Sequence, residues 1–370
     1  MTREKTDAQL LALLRSGLWG EAPRAELFDA ATPWPALLHA ARRQTVTGVA
    51  FAGVERLPAG LRPPREVALA WYADARRIAA ASQRVDEVLG RVVARYRAAG
   101  LTPVLLKGQG VARLYREPQL RQPGDIDLYF GPSCARANAE AAGWEGVALH
   151  PATTYHRSFT WQGVTVENHR RYVDFYHPAN RRAWAAIAAR LPLTDGSVLA
   201  LPGGGEVAVP SARMNALYLL LHLMHHFLQT GVGLRQVCDW ACLLARHGRS
   251  LDGAALAADL RALGMLRPAA ALARIVVDEL GVPAGAVPAE LLGAARGADV
   301  RLLLADILAS GNFGHDTPQM RGFRRGAHLH NARNYAAALM RHARLFRLCP
   351  REVAAYPFVW LKSWWRGGEA

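Results

Sequence analysis

The chain has 370 residues, of which 51% are hydrophobic, enough for a substantial core shared among two or three domains and too much for extensive disorder. Forty-five Lys and Arg against thirty Asp and Glu leave a net charge of +15, which a nucleic-acid or phosphate partner would favour. Only three of the cations are lysine, however (Lys5, Lys107, Lys362), so the charge reads as an arginine- and alanine-rich composition, and nucleic acid is an admissible but not the favoured partner.

The opening, Met1 to Asp7, is polar and has no signal-peptide character, and no apolar run approaches the roughly 18 residues that span a bilayer, so a cytoplasmic location is expected. Leu10, Leu11, Leu13 and Leu14 have helical spacing over residues 7 to 18, and a second helical stretch is expected over Asp29 to Gly53. After the breaks at Pro58 and at Pro63-Pro64, a helix-favouring pattern runs from about Glu66 to Ala98. Residues 1–98 thus form a helical lead-in with no visible chemistry.

Residues 99–210 carry the candidate site. Leu101 to Leu106 reads as a buried strand and Gly108 as a tight turn. A helix of about two turns with Val111, Leu114 and Tyr115 follows, and then a strand through Gly124-Asp125-Ile126-Asp127-Leu128. Side chains alternate along a strand, so Asp125 and Asp127 share one face while Ile126 and Leu128 point into the core. Two carboxylates side by side repel unless a cation lies between them, and hard oxygen donors with room for phosphates suit Mg²⁺. The Gly108 turn, with Gly110 just beyond, offers backbone N–H groups to phosphate oxygens. Arg121, four residues before Asp125, is expected to pair with Asp125 or with a phosphate.

Ser133 is a candidate cap for a helix running to about Ala142. Gln162-Gly163 joins Tyr155–Trp161 and Val164–His169 as a hairpin. In its second arm Glu167 and His169 share the polar face. If that arm neighbours the Asp125–Asp127 strand, Glu167 arrives as a third carboxylate; Asp174, which also alternates with apolar residues, competes for that role. A helix is expected over 181–190, and short strands or a linker over 191–209.

Residues 211–370 are read as helical, over 212–229, 234–246, 252–263, 266–280, 298–309 and 327–347. His222 and His226 share a helix face at metal-ligand spacing, but the Glu that a zinc protease places beside its first His is absent. Core or interface histidines with Asp239 as partner are expected. Cys134, Cys238, Cys242 and Cys349 form no Cys-x-x-Cys and read as free thiols. The tail from Tyr356 to Arg366 mixes aromatics with cations, so a helix docked on the protein is expected there, with peripheral membrane contact as the alternative.

The string LLKGQGVARLYREPQLRQPGDIDLYF resembles the nucleotidyltransferase superfamily to which DNA polymerase β belongs. Within it, the chain is similar to a bacterial family of uncharacterised nucleotidyltransferases, whose pattern is Leu-Lys-Gly, an aliphatic-Tyr segment and then Arg-x-x-x-Asp-Ile-Asp-Leu. The similarity covers about residues 99 to 178 and loosens beyond. It implies an α+β fold with a polymerase β-like core, a mixed sheet with flanking helices, between N-terminal and C-terminal helical segments. It also implies transfer of a nucleoside monophosphate from an NTP to a hydroxyl of an unknown acceptor, a small molecule, peptide or protein, with a two-ion Mg²⁺ site on Asp125, Asp127 and Glu167. Family members carry Glu-x-His or Asp-x-His at the position of Glu167-Asn168-His169, which favours Glu167 over Asp174 and makes His169 its orienting partner. Lys107, Gly108 and Gln109 stand where many superfamily members have Gly-Ser; with no serine hydroxyl here, Lys107 is expected to meet the phosphate and Gln109 to assist. The alternative is a non-catalytic member of the fold that binds a nucleotide or a protein.

Overall fold

The N-terminal leucines fold as α1 (Arg3–Trp19) in a computed structural model that describes residues 3–153, 155–312 and 328–365. The stretch expected as one helix from Asp29 divides into α2 (Trp34–Arg43) and α3 (Thr47–Glu55). Thr45 between them adopts a left-handed φ of 54°, and the buried Gln44 amide leaves the helix to reach the Ile307 carbonyl and the Leu234 N–H. Helices α1 and α3 cross at glycines: a Cβ on Gly17 would lie 1.9 Å from the Val49 carbonyl oxygen, and one on Gly53 2.1 Å from that of Leu13. The long helix α4 (Arg65–Ala98) starts after Pro64 and stops at Gly100, whose φ is 68°.

Next come β1 (Val104–Leu105), α5 (Gln109–Ala112), β2 (Ile126–Tyr129), α6 (Cys134–Ala142), β3 (His156–Trp161) and β4 (Val164–His169). The first strand is shorter than Leu101 to Leu106, with Pro103, which has no N–H to give a ladder, just before it. Helix α5 is a single turn rather than two, and Ser133 makes no side-chain cap at α6. The hairpin turn is as expected, with Gln162 and Gly163 both at positive φ. Then follow α7 (Pro178–Arg190), β5 (Val198–Ala200), β6 (Glu206–Ala208), α8 (Ala212–Gln229), α9 (Leu234–His247), α10 (Gly253–Ala262), α11 (Leu266–Asp278), α12 (Ala289–Ala294), α13 (Gly297–Ser310), α14 (His328–Leu345) and α15 (Pro350–Trp365). The aromatic tail is therefore helical, with Phe358 75% exposed, while the side chains of Trp360, Trp364 and Trp365 lie outside the described residues. No described helix is long and apolar enough to cross a membrane. The four cysteines are buried and free.

The architecture is mixed α and β: six strands in the order β3-β4-β2-β1-β6-β5, with β2 and β4 parallel and β3 and β4 antiparallel. One face of the sheet carries Ile126, Leu128, Phe159 and Val166 into an apolar core against α4 and α6. The buried Asn168 on that face bonds Tyr96 Oη and Asn138. A second core joins the N-terminal helices α1 to α3 directly to the C-terminal helices α8 to α13. The two ends of the chain thus close over the other face of the sheet.

Helix α3 also sets the loop that leads into β2. A Cβ on Gly48 would lie 2.4 Å from the Leu120 carbonyl oxygen, immediately before Arg121. Gly48→Ala should therefore destabilise the protein by about 1–3 kcal/mol through overpacking. Urea unfolding measures this, and an unchanged midpoint would show that the loop yields freely.

Candidate active site

The pleat and the register between them assemble a carboxylate cluster. Parallel pairing sets Asp127 opposite Glu167 and Tyr129 opposite His169, so these side chains share the face that Asp125 also presents. Donor oxygens of Asp125, Asp127 and Glu167 all lie within 4.8 Å of one another. Asp127 is fully buried. Its Oδ1 forms an ion pair with Lys107 Nζ at 3.2 Å and accepts from His169 Nε2 at 3.0 Å, while Oδ2 has no hydrogen-bond partner. Three converging carboxylates with one orphaned buried oxygen fit a hard divalent cation. Asp174 is outside this cluster: it accepts from Tyr155 Oη at 2.8 Å and faces Arg181.

The protein's own cations meet this charge. Burial opposes the Lys107 ammonium, but Asp127 and Asp125 (the latter 4.0 Å away) hold its pKa well above the ordinary lysine value. Lys107 Nζ also lies 3.3 Å from His222 Nε2. Burial first, and then the neighbouring Lys107 charge, push the His222 pKa far down, so this imidazole is neutral and accepts. His169 goes the other way: burial opposes its charge, yet bonds to Asp127 and Glu167 push its pKa up to about 9. Its Nδ1–H donates to the Arg171 carbonyl at 3.3 Å, which leaves Nε2 facing the carboxylates.

A cavity of about 540 Å³ opens over this face and is roofed by α8 and α9. Helix α8, capped by the Ser211 hydroxyl on the Met214 N–H, supplies Tyr218, His222, His225 and His226 to its wall. Sequence reasoning marked the histidines but paired them with Asp239, whereas the contact that matters, His222 to Lys107, spans 115 residues. Asp239 belongs to Arg121 instead. Arg121 Nε and Nη2 donate to its two oxygens at 2.7 and 2.8 Å, and Tyr115 Oη donates at 2.6 Å. The guanidinium expected at Asp125 or a phosphate thus anchors its loop on α9, with Nη1 unpaired at the cavity wall. One turn earlier on α9, Arg235 donates to the Gln122 carbonyl at 3.1 Å, so two residues of this helix hold the approach to Asp125.

Gly108 keeps the expected special conformation, with a φ of 61°, and an added Cβ would sit 3.4 Å from the Asp125 carbonyl oxygen. Gln109 departs from expectation. Its amide is buried against α4, donating to the Ser82 carbonyl and hydroxyl at 3.3 Å, because the turn directs it into the core rather than the cavity. His156, which sequence reasoning passed over, stands opposite His169 on β3, with Nε2 3.4 Å from Glu167 Oε1. Only the register of the hairpin could have marked it.

A family model described as "Uncharacterised nucleotidyltransferase" matches residues 30–281, well over half of the chain. No curated protein and no solved structure matches.

Arg121→Met strands a buried carboxylate and should cost about 3–5 kcal/mol, whereas Arg121→Met with Asp239→Asn should recover most of it, since Asn still accepts from Tyr115. Denaturant unfolding of both variants checks the coupling; purely additive losses would contradict it.

Proposed function

The chain belongs to the uncharacterised nucleotidyltransferase family, and from that premise we propose that it moves a nucleoside monophosphate from an NTP to a hydroxyl of its acceptor. The observation that carries this reading is the cluster of Asp125, Asp127 and Glu167 on one sheet face inside a cavity, with Asp127 Oδ2 left without a partner. In the reaction the acceptor oxygen bonds to the α-phosphorus, the bond from that phosphorus to the leaving pyrophosphate breaks, and the hydroxyl proton passes to a carboxylate of the cluster or to water. Asp125, Asp127 and Glu167 would hold Mg²⁺, which when bound neutralises the triphosphate and lowers the pKa of the hydroxyl.

The chain's own groups do the rest. Lys107 offers a cation at the cavity floor beside the Gly108 turn, where a phosphate can approach the backbone closely. The α5 turn is too short to add a helix dipole, so phosphate recognition falls mainly on the lysine. Asp239 and Arg235 fix the loop ahead of Asp125, and α8 walls the cavity, so the charged groups are held in place for positioning and charge neutralisation to act.

Incubation of the protein with Mg²⁺, labelled ATP, CTP, GTP or UTP and cell lysate should yield a product that carries label. Asp125→Asn should lower that turnover by at least about a hundredfold, the scale for losing one electrostatic stabiliser of the transition state. Asp125 is the informative position because Asp127 also receives Lys107 and His169, so its substitution disturbs the apo protein as well. Near wild-type turnover of Asp125→Asn would contradict the assignment.

Lys107 makes a separate prediction. Lys107→Met should weaken ATP binding about tenfold to a hundredfold, the size of one charge-assisted contact of 1.5–3 kcal/mol, and leave adenosine binding nearly unchanged. Equal ATP affinity in calorimetric titration would remove lysine from phosphate recognition.

A further inference from the structure

We propose that Glu167 is shared by a second cation position built with His156 and His169, and that this position takes a borderline first-row divalent ion such as Co²⁺ or Zn²⁺ in preference to Mg²⁺. The inference rests on the reading of Asp125, Asp127 and Glu167 as an all-oxygen metal site, and it adds a nitrogen-bearing partner to that site. One donor atom from each of His156, Glu167 and His169 lies within 4.8 Å of the others. The two carboxylate oxygens point in different directions: Oε1 lies 3.4 Å from His156 Nε2, and Oε2 lies 3.2 Å from His169 Nε2. Donors bonded at about 2.0–2.1 Å to one ion stand roughly 3–3.4 Å apart by simple geometry, so each imidazole is at ligand spacing from one carboxylate oxygen, and a common ion would take both oxygens of Glu167.

Two features suit a metal at this position. The Nδ1–H of His169 is spent on the Arg171 carbonyl, the outer partner that typically fixes a ligating imidazole, and an ion at Nε2 would displace the proton that Nε2 shares with Asp127 in the free protein. The antiparallel register sets His156 directly across from His169 and Ser158 across from Glu167, so the donors stand on paired strands, not on a loop. Imidazole nitrogen prefers borderline ions to Mg²⁺, which demands oxygen ligands.

Co²⁺ is a suitable probe, being a borderline ion with visible absorption and paramagnetic effects on histidine NMR signals. Titrated into the nucleotide-free protein, Co²⁺ should perturb the ring resonances of both His156 and His169, and excess Mg²⁺ should not displace it. His156→Gln, with its fold verified by circular dichroism, should weaken Co²⁺ binding by at least about tenfold, a loss that even outer-shell partners of a metal ligand can cause. Asp125→Asn should keep Co²⁺ on the histidines while losing nucleotide transfer. Equal Co²⁺ affinity in wild type and His156→Gln, or displacement of Co²⁺ by equimolar Mg²⁺, would overturn the proposal. Histidine-dependent Co²⁺ binding in a protein that transfers no nucleotide would refute the functional reading alone. Asp125-dependent transfer without histidine-bound Co²⁺ would refute the second position alone.

Discussion

Asp125, Asp127 and Glu167 repel one another, and the burial of Asp127 denies water part of its usual role in screening that repulsion. Everything around the cluster bears on this one electrostatic problem. Lys107 and His169 come to Asp127 as internal cations, each held charged by the acids it approaches. The neutral His222 accepts from Lys107 without adding charge. Two positive side chains against three negative ones leave a deficit of positive charge and an orphaned carboxylate oxygen, and a divalent cation is the simplest species that answers both.

The geometry of the cluster depends on elements that are distant in sequence. The β2–β4 register supplies the carboxylates, but α9 sets the loop that delivers Asp125 through Asp239 and Arg235, and Gly48 of α3 lets that loop sit against the N-terminal helices. Since N-terminal and C-terminal helices share one apolar core, the roof of the cavity and its approach loop are stabilised together. A site held this way from several sides is suited to keeping charged groups fixed at angles they would not choose in water.

Local patterns made much of this legible. Alternation along a strand predicted that Asp125 and Asp127 face together, and the Gln162-Gly163 turn with its polar arm predicted Glu167 beside His169. The tight turn at Gly108 and the C-terminal helices were readable from spacing and glycine placement. What escaped depended on pairs far apart in the chain. Arg121 meets Asp239 across 118 residues, and Gln109 turns to Ser82 because α4 packs there; nothing local in the sequence distinguishes those partners from Asp125 or a phosphate. His156 escaped for a different reason: the two-residue turn sets it across from His169, but its approach to Glu167 shows only in the folded hairpin.

The most direct measurement is calorimetric titration of a non-hydrolysable ATP analogue into the protein, with Mg²⁺ and with a chelator in its place. If the three carboxylates hold metal for a triphosphate, binding should depend strongly on Mg²⁺, and Asp125→Asn should remove most of that dependence. Equal affinity with and without Mg²⁺ would contradict the account and leave the fold as a nucleotide-binding scaffold with no metal-assisted chemistry.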